Sequence, residues 1–171
     1  MMSGLSIISA LTLLGGTAFA AFTTTASATG NTFSTTNPNL QINTGTGFGT
    51  TANGFTETGL VPGGTPTIHN FTLFNTNTGP SDTMTLGGLI NPTAGDPSLE
   101  SSLKVRVTCA NGTDTGFVVM STWMSTSQPI QTLAPNTTTA CTLQVGLPSG
   151  NTTDANKSIT FDMAFSGTQG N

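Results

Sequence analysis

Apolar and polar residues alternate along this chain with a period of two, in short runs separated by clusters of Gly, Asn and Pro that recur roughly every 8–12 residues. Two runs are clean. In "LKVRVTC", Leu103, Val105, Val107 and Cys109 share one face while Lys104, Arg106 and Thr108 take the other. In "KSITFDMAFSGTQ", Ile159, Phe161, Met163 and Phe165 alternate with Thr160, Asp162 and Ala164. Both patterns predict half-buried strands. "TIHNFTLFNTNTG" predicts another, from Ile68 through Phe74 into a turn at Asn77–Pro80. "NLQIN" (Asn39–Asn43) predicts a short one, and "DTMTLGGLI" one that Gly87-Gly88 interrupts with a bulge or bend.

"GFVVMSTWM" is a more continuous apolar run, which predicts a central strand covered on both sides and carrying Trp123. "IQTL" and "CTLQVGL" are expected to pair around the Pro135–Thr139 turn. Residues 44–66 read as a long irregular connection, and "NPTAGDPSLESS" as a loop with one helical turn around Ser98–Ser102. With about eight or nine strands and no long helix, the pattern predicts an all-β fold, an antiparallel two-sheet sandwich.

The N-terminal residues have a different character. Leu5, Ile7, Ile8, Leu11, Leu13 and Leu14 form an apolar stretch ending in "TAFAA", with small residues at Ala18 and Ala20. This predicts a signal peptide over 1–20, cleaved between Ala20 and Ala21. "MMSG" lacks the usual basic residues, and a retained N-terminal anchor helix is the other reading. From Ala21 the alternation resumes, with Phe22, Thr24, Ala26 and Ala28 on one face, until Gly30 and Asn31 break it. The chain thus divides into a leader (1–20), a small-residue strand (21–31) and a sandwich domain (32–171).

Composition narrows the function. The 171 residues include three basic and seven acidic ones, and Lys104, Arg106 and Lys157 form no patch, which argues against nucleic-acid binding. Polarity comes instead from Thr, Asn, Ser and Gly. Ten Phe and one Trp speak against the alternative of a disordered Thr-rich stalk. Cys109 and Cys141 allow a single pairing, expected as a disulfide in an exported chain, with two buried free thiols as the other reading. No C-x-x-C spacing is present, so zinc or thioredoxin-type chemistry has no basis. N-x-S/T sequons occur at Asn70, Asn111, Asn136, Asn151 and Asn156. Asn70 sits inside a strand run, and the other four, beside turn residues, are the better glycosylation candidates.

Catalytic chemistry is not expected. His69 is the one histidine, the carboxylates are scattered singly, and neither H-E-x-x-H nor a Ser-His-Asp context exists. A calcium site would need loop carboxylates, but D-x-D-x-D-G spacing is absent. No cofactor and no small-molecule substrate are therefore expected.

Three stretches resemble the secreted fibre-forming family that includes TasA, the camelysin-like proteins and the archaeal bundling pilins. They are "GGTAFAAFTTTASATGNTFSTTNPNLQI", "GLVPGGTPTIHNFTLFNTNTG" and "LPSGNTTDANKSITFDMAFSGTQ". The chain departs from that family in its missing basic leader residues, its near absence of charge and its cysteine pair, the last two being closer to the archaeal pilins. The metalloprotease activity described for camelysin-like members is not carried over, since the ligands are lacking.

The resemblance implies a jelly-roll-like sandwich, secreted to an extracellular filament or the cell surface. It implies that the partner is a further copy of the chain, joined by donor-strand exchange, with lateral bundling between filaments. Ala21, Phe22, Thr24, Ala26 and Ala28 would then form the donor strand. Strand addition satisfies a row of backbone groups, and burying Phe22 would contribute about 1.5–3 kcal/mol. The other reading is that residues 21–31 pair within their own sheet or stay unordered. A competing function is a secreted monomeric adhesive or carbohydrate-binding module. That would call for exposed aromatics on one face, whereas the chain has no Tyr and Trp123 sits in an apolar run.

Overall fold

A computed structural model of the chain describes residues 26–28, 32–35, 39–53, 57–80, 82–110, 112, 114–154 and 157–169. They form two packed sheets. The strands are β1 (Ala26–Ala28), β2 (Thr32–Thr35), β3 (Leu40–Asn43), β4 (Thr51–Asn53), β5 (Glu57–Leu60), β6 (Thr67–Asn75) and β7 (Met84–Gly95). Helix α1 (Ser98–Ser102) follows, then β8 (Lys104–Cys109), β9 (Val118–Val119) and helix α2 (Met120–Ser125). The chain closes with β10 (Gln128–Leu133), β11 (Thr137–Gly146) and β12 (Ser158–Gln169). Sheet A runs β10-β7-β12-β1-β5, with β2 and β4 continuing the β1 and β5 positions further along β12; sheet B runs β3-β6-β11-β8-β9.

The alternating runs bury the faces their patterns specify. Ile159, Phe161, Met163 and Phe165 of β12 and Val105, Val107 and Cys109 of β8 are all buried, as are Phe71 and Leu73 of β6. Ile68 and Phe74, the other parity of β6, face outward, with Ile68 exposed and Phe74 half-buried. Phe71 meets Phe165 across the sheets at 5.1 Å between ring centroids, which ties the two layers together.

Several sequence expectations need correcting. The run "GFVVMSTWM" is not a central strand. Val118 and Val119 form a two-residue edge strand on β8, and α2 then carries the chain from sheet B to sheet A. Met120 and Trp123, three apart, are both fully buried, which is helical spacing hidden in a short apolar run. Gly87-Gly88 is not the bulge either. The register shift lies on the partner strand β10, between Pro129 and Gln131. Gly88 serves packing instead: a Cβ there would stand 3.1 Å from the Trp123 ring.

"IQTL" and "CTLQVGL" do not pair with each other. β10 pairs with β7 in one sheet, while β11 pairs with β6 and β8 in the other. The turn between them crosses the sandwich, and buried Asn75 secures the crossing, its Nδ2 donating to the carbonyls of Asp82, Leu133 and Ala134 at 2.9, 3.1 and 3.2 Å. The supposed irregular connection over 44–66 contains β4 and β5. Helix α1 lies where expected, but "NPTAG" before it belongs to β7. Pro92 is tolerated there because β10 reaches only as far as Gly88, leaving the outer edge of β7 beyond it without a ladder partner.

Candidate functional site

The N-terminal strands hold an unusual position. β1 and β2 lie parallel to β12, in a sandwich whose other strand pairs are antiparallel. Ser27 and Ala28 pair with Ser158 and Ile159; further along, Phe33, Ser34 and Thr35 pair with Met163, Ala164 and Phe165. On their other side they pair antiparallel. Ala26 and Ala28 face Leu60 and Glu57 of β5, and Thr32 to Ser34 face Asn53 to Thr51 of β4.

These strands are therefore interior to sheet A. Among the described residues, β4 and β5 pair into sheet A only through β2 and β1. Remove Ala26–Thr35 and sheet A is left with a slot, open backbone groups of β12 on one wall and of β4 and β5 on the other. Each wall carries N–H and C=O groups whose burial without a partner is costly. Parallel neighbours need a long crossover connection, and here the entire sequence between β2 and β12 provides it.

Ala26 and Ala28 fall on β1, in the chain's own sheet. Ala20, Ala21, Phe22 and Thr24, and with them the leader and its cleavage point, lie outside the described residues. So do Asn111 and Asn156. Asn136 is exposed at the tip of the β10–β11 turn with φ of 53°. Asn151 is half-buried, its Nδ2 donating to Asp154 Oδ2 at 2.5 Å and its Oδ1 accepting from Thr153 at 3.0 Å. Asn70 is exposed on β6. Cys109 and Cys141 are joined by a disulfide between directly opposed positions of β8 and β11.

A polar cluster that local patterns do not reveal locks the loop before β12 to α1. Asp154 is buried, with 4 % side-chain exposure, and its Oδ1 accepts from Ser98 Oγ at 2.6 Å and Lys157 Nζ at 2.9 Å. Lys157 also reaches Ser98 Oγ at 2.6 Å and Asp96 at 3.8 Å. Burial alone would raise the Asp154 carboxyl. Hydrogen bonds from Ser102, Ser98, Lys157 and Asn151 outweigh it and hold the group well below the ordinary carboxylate range. Asp96 caps the backbone N–H of Ser98 at 3.0 Å, which lowers its carboxyl too. Lys157 is raised, chiefly by Asp154. The cluster is internally compensated, with its cation supplied by Lys157.

At the other charged position, Arg106 pairs with Asp114 through both its Nε and Nη2 and lies 5.6 Å from the centroid of the Phe117 ring. Asp114 is held low by that pairing. Among the described residues, no three His, Cys, Asp or Glu side chains converge as metal ligands, and no helix is long and apolar enough to cross a membrane. A scan against models of known protein families finds no match, and no curated protein matches the chain at a significant level.

Proposed function

We propose that this chain is the structural subunit of an extracellular filament, in which the N-terminal strands of one copy occupy the sheet-A slot of the next. The interior position of β1 and β2 carries the reading. An edge strand lost from a sheet exposes one row of backbone groups, whereas loss of these strands exposes two and severs β4 and β5 from the sheet. In a single copy the segment fills its own slot. Exchanging it with a neighbour restores the same pairings, so the cost of withdrawal is largely offset. Donor and slot are different surfaces, so the contact is heterologous and propagates instead of closing on itself.

Export and removal of residues 1–20 would start the donor segment at Ala21, which places Phe22 ahead of β1 as a further anchor. The acceptor walls supply backbone pairing on both sides, and Ile159, Met163 and Phe165 mark the register.

The test uses the chain beginning at Ala21 and a version lacking 21–35. Concentrated samples of the first form filaments in negative-stain micrographs. The second remains monomeric, and a synthetic peptide of residues 21–35 binds it stoichiometrically. Filaments from the truncated chain, or an intact chain that stays monomeric at millimolar concentration, would overturn the proposal.

A further inference from the structure

The outer face of sheet B carries a trough of about 540 Å3. Its lining includes Asn43, Asn70, Thr72, Thr108 and Thr142, with Ala140 on β11 among them. That volume lies within the usual range for ligand sites. Beside the trough, two positions along β6 from Thr72 and outside its lining, stands an aromatic pair. Phe48, 44 % exposed, packs against Phe74 with 5.3 Å between ring centroids.

Phe48 is held by a built loop. Asn43 Oδ1 accepts from the N–H groups of Gly45 and Gly47 at 2.7 and 3.1 Å, curling the chain back beside β3. Ile42 and Gly49 then exchange two backbone hydrogen bonds, at 2.7 and 3.1 Å. The ring of Phe48 is thereby fixed on Phe74 while keeping much of its surface open to solvent.

The chemistry of the lining selects a class of ligand. None of the trough's residues carries a formal charge, and the nearest ion pair, Arg106 with Asp114, satisfies itself. Inorganic ions and charged polymers therefore have no counter-charge to engage. An added peptide strand has no free backbone edge to pair with, since this is the face of a hydrogen-bonded sheet. What the trough offers is hydroxyl and amide groups that both donate and accept, interspersed with methyl groups, and a ring face beside them. A neutral sugar presents the complement, with hydroxyls around its rim and C–H groups on its faces.

We propose that this trough binds a neutral polysaccharide, with the Phe48–Phe74 pair as the stacking platform and the Thr and Asn side chains as hydrogen-bonding partners. From Ile68 to Phe74 the strand spans about 20 Å, enough for several sugar rings in an extended chain. The site lies on the sheet opposite the donor slot, so it remains open whether the chain is monomeric or polymerised through sheet A.

Isothermal titration calorimetry of the intact chain tests this with cellohexaose, maltohexaose, mannohexaose and chitohexaose, and with the anionic hexamer of galacturonic acid as control. At least one neutral hexasaccharide binds with millimolar affinity or better, and the anionic one does not. Phe48→Ala weakens that binding tenfold or more, and Thr142→Lys, at a strand position facing solvent, abolishes it while the circular dichroism spectrum is unchanged. Failure of all four neutral probes overturns the proposal, as does wild-type binding by both variants. A face-to-face dimer in sedimentation analysis, broken by Thr142→Lys without any sugar binding, would assign the trough to a second copy of the chain instead.

Discussion

Cys109 and Cys141 stand directly opposite each other on β8 and β11, both buried, and the disulfide between them continues the buried cross-strand rows Val107–Leu143 and Val105–Val145. The bond closes a loop with a sequence separation of 32 that includes β9, α2 and β10. On chain-entropy grounds such a closure stabilises the fold by about 3–4 kcal/mol. The Cys109→Ala/Cys141→Ala double variant leaves two small apolar side chains and no orphaned thiol. Guanidinium unfolding should show it less stable by that amount, and a loss below about 1 kcal/mol would mean that strand packing alone holds the loop.

Two glycines on β7 separate packing from backbone constraint. A Cβ at Gly88 would meet Trp123, Ile130 and Met163 at 3.1–3.4 Å, the last two through side-chain ends that can shift. Gly88→Ala is expected to cost about 1 kcal/mol. Gly95 has φ of 118°, and a Cβ there would stand 2.3 Å from the Ser158 carbonyl oxygen and 2.6 Å from Ile159 Cα. Neither backbone atom can yield without opening the β7–β12 ladder, so Gly95→Ala should cost about 2–5 kcal/mol. Thermal melts that rank the two variants in the reverse order would show that the β7 terminus is more adaptable than this geometry allows.

These glycines also show where sequence patterns stop being informative. The buried faces of β8 and β12 were legible because period-two alternation encodes one burial decision per residue. Partner choice is not encoded that way. "IQTL" and "CTLQVGL" look like hairpin arms, yet the turn between them crosses the sandwich, because β7 and β6, distant in sequence, are the strands left to pair with. Met120 and Trp123 satisfy either a strand or a helix over so short a run. β4 and β5 are built mainly from Thr, Gly and Asn and carry no apolar rhythm. Phe48, an exposed aromatic, sits among Gly and Thr and reads locally as loop. Ser98, Asn151, Asp154 and Lys157 become one cluster only after folding brings α1 beside the loop before β12.

The paired carboxylates give the fold an acid limit. Asp96, Asp114 and Asp154 all have carboxyls lowered in the folded chain. A lowered carboxyl contributes stability that is complete above its unfolded value, about 3.9, and is lost as pH falls through the folded one. Melting temperature should therefore be flat from neutral pH to about pH 5 and decline below about pH 4. Asp154→Asn leaves Lys157 and Ser98 without their acceptor charge and should cost about 1–3 kcal/mol at pH 7, towards the lower end because Lys157 keeps contact with solvent. As pH falls from about 4 towards 2, the gap between the variant and the parent should narrow steadily, since the contribution is lost only as pH approaches the lowered folded value. Parallel stability curves across that range would show that Asp154 does not titrate with unfolding.

If the chain polymerises through the sheet-A slot as proposed, the two ends of a filament are chemically different. One end presents an unused donor segment and the other an unfilled slot. A copy lacking residues 21–35 retains β12, β4 and β5 as walls but has no strand to pass on, so it binds a terminal donor and stops growth there. Mixed with intact chains during assembly, it should shorten filaments in inverse proportion to the fraction added. A peptide of residues 21–35 should do the same from the opposite end, by filling terminal slots. Proline at Ser34 of that peptide removes an N–H from a position paired with both β12 and β4, and should abolish its effect. Length distributions measured by electron microscopy decide the matter. If neither the truncated chain nor the unmodified peptide changes them, the subunits are joined through some other surface, and β1 and β2 complete only their own sheet.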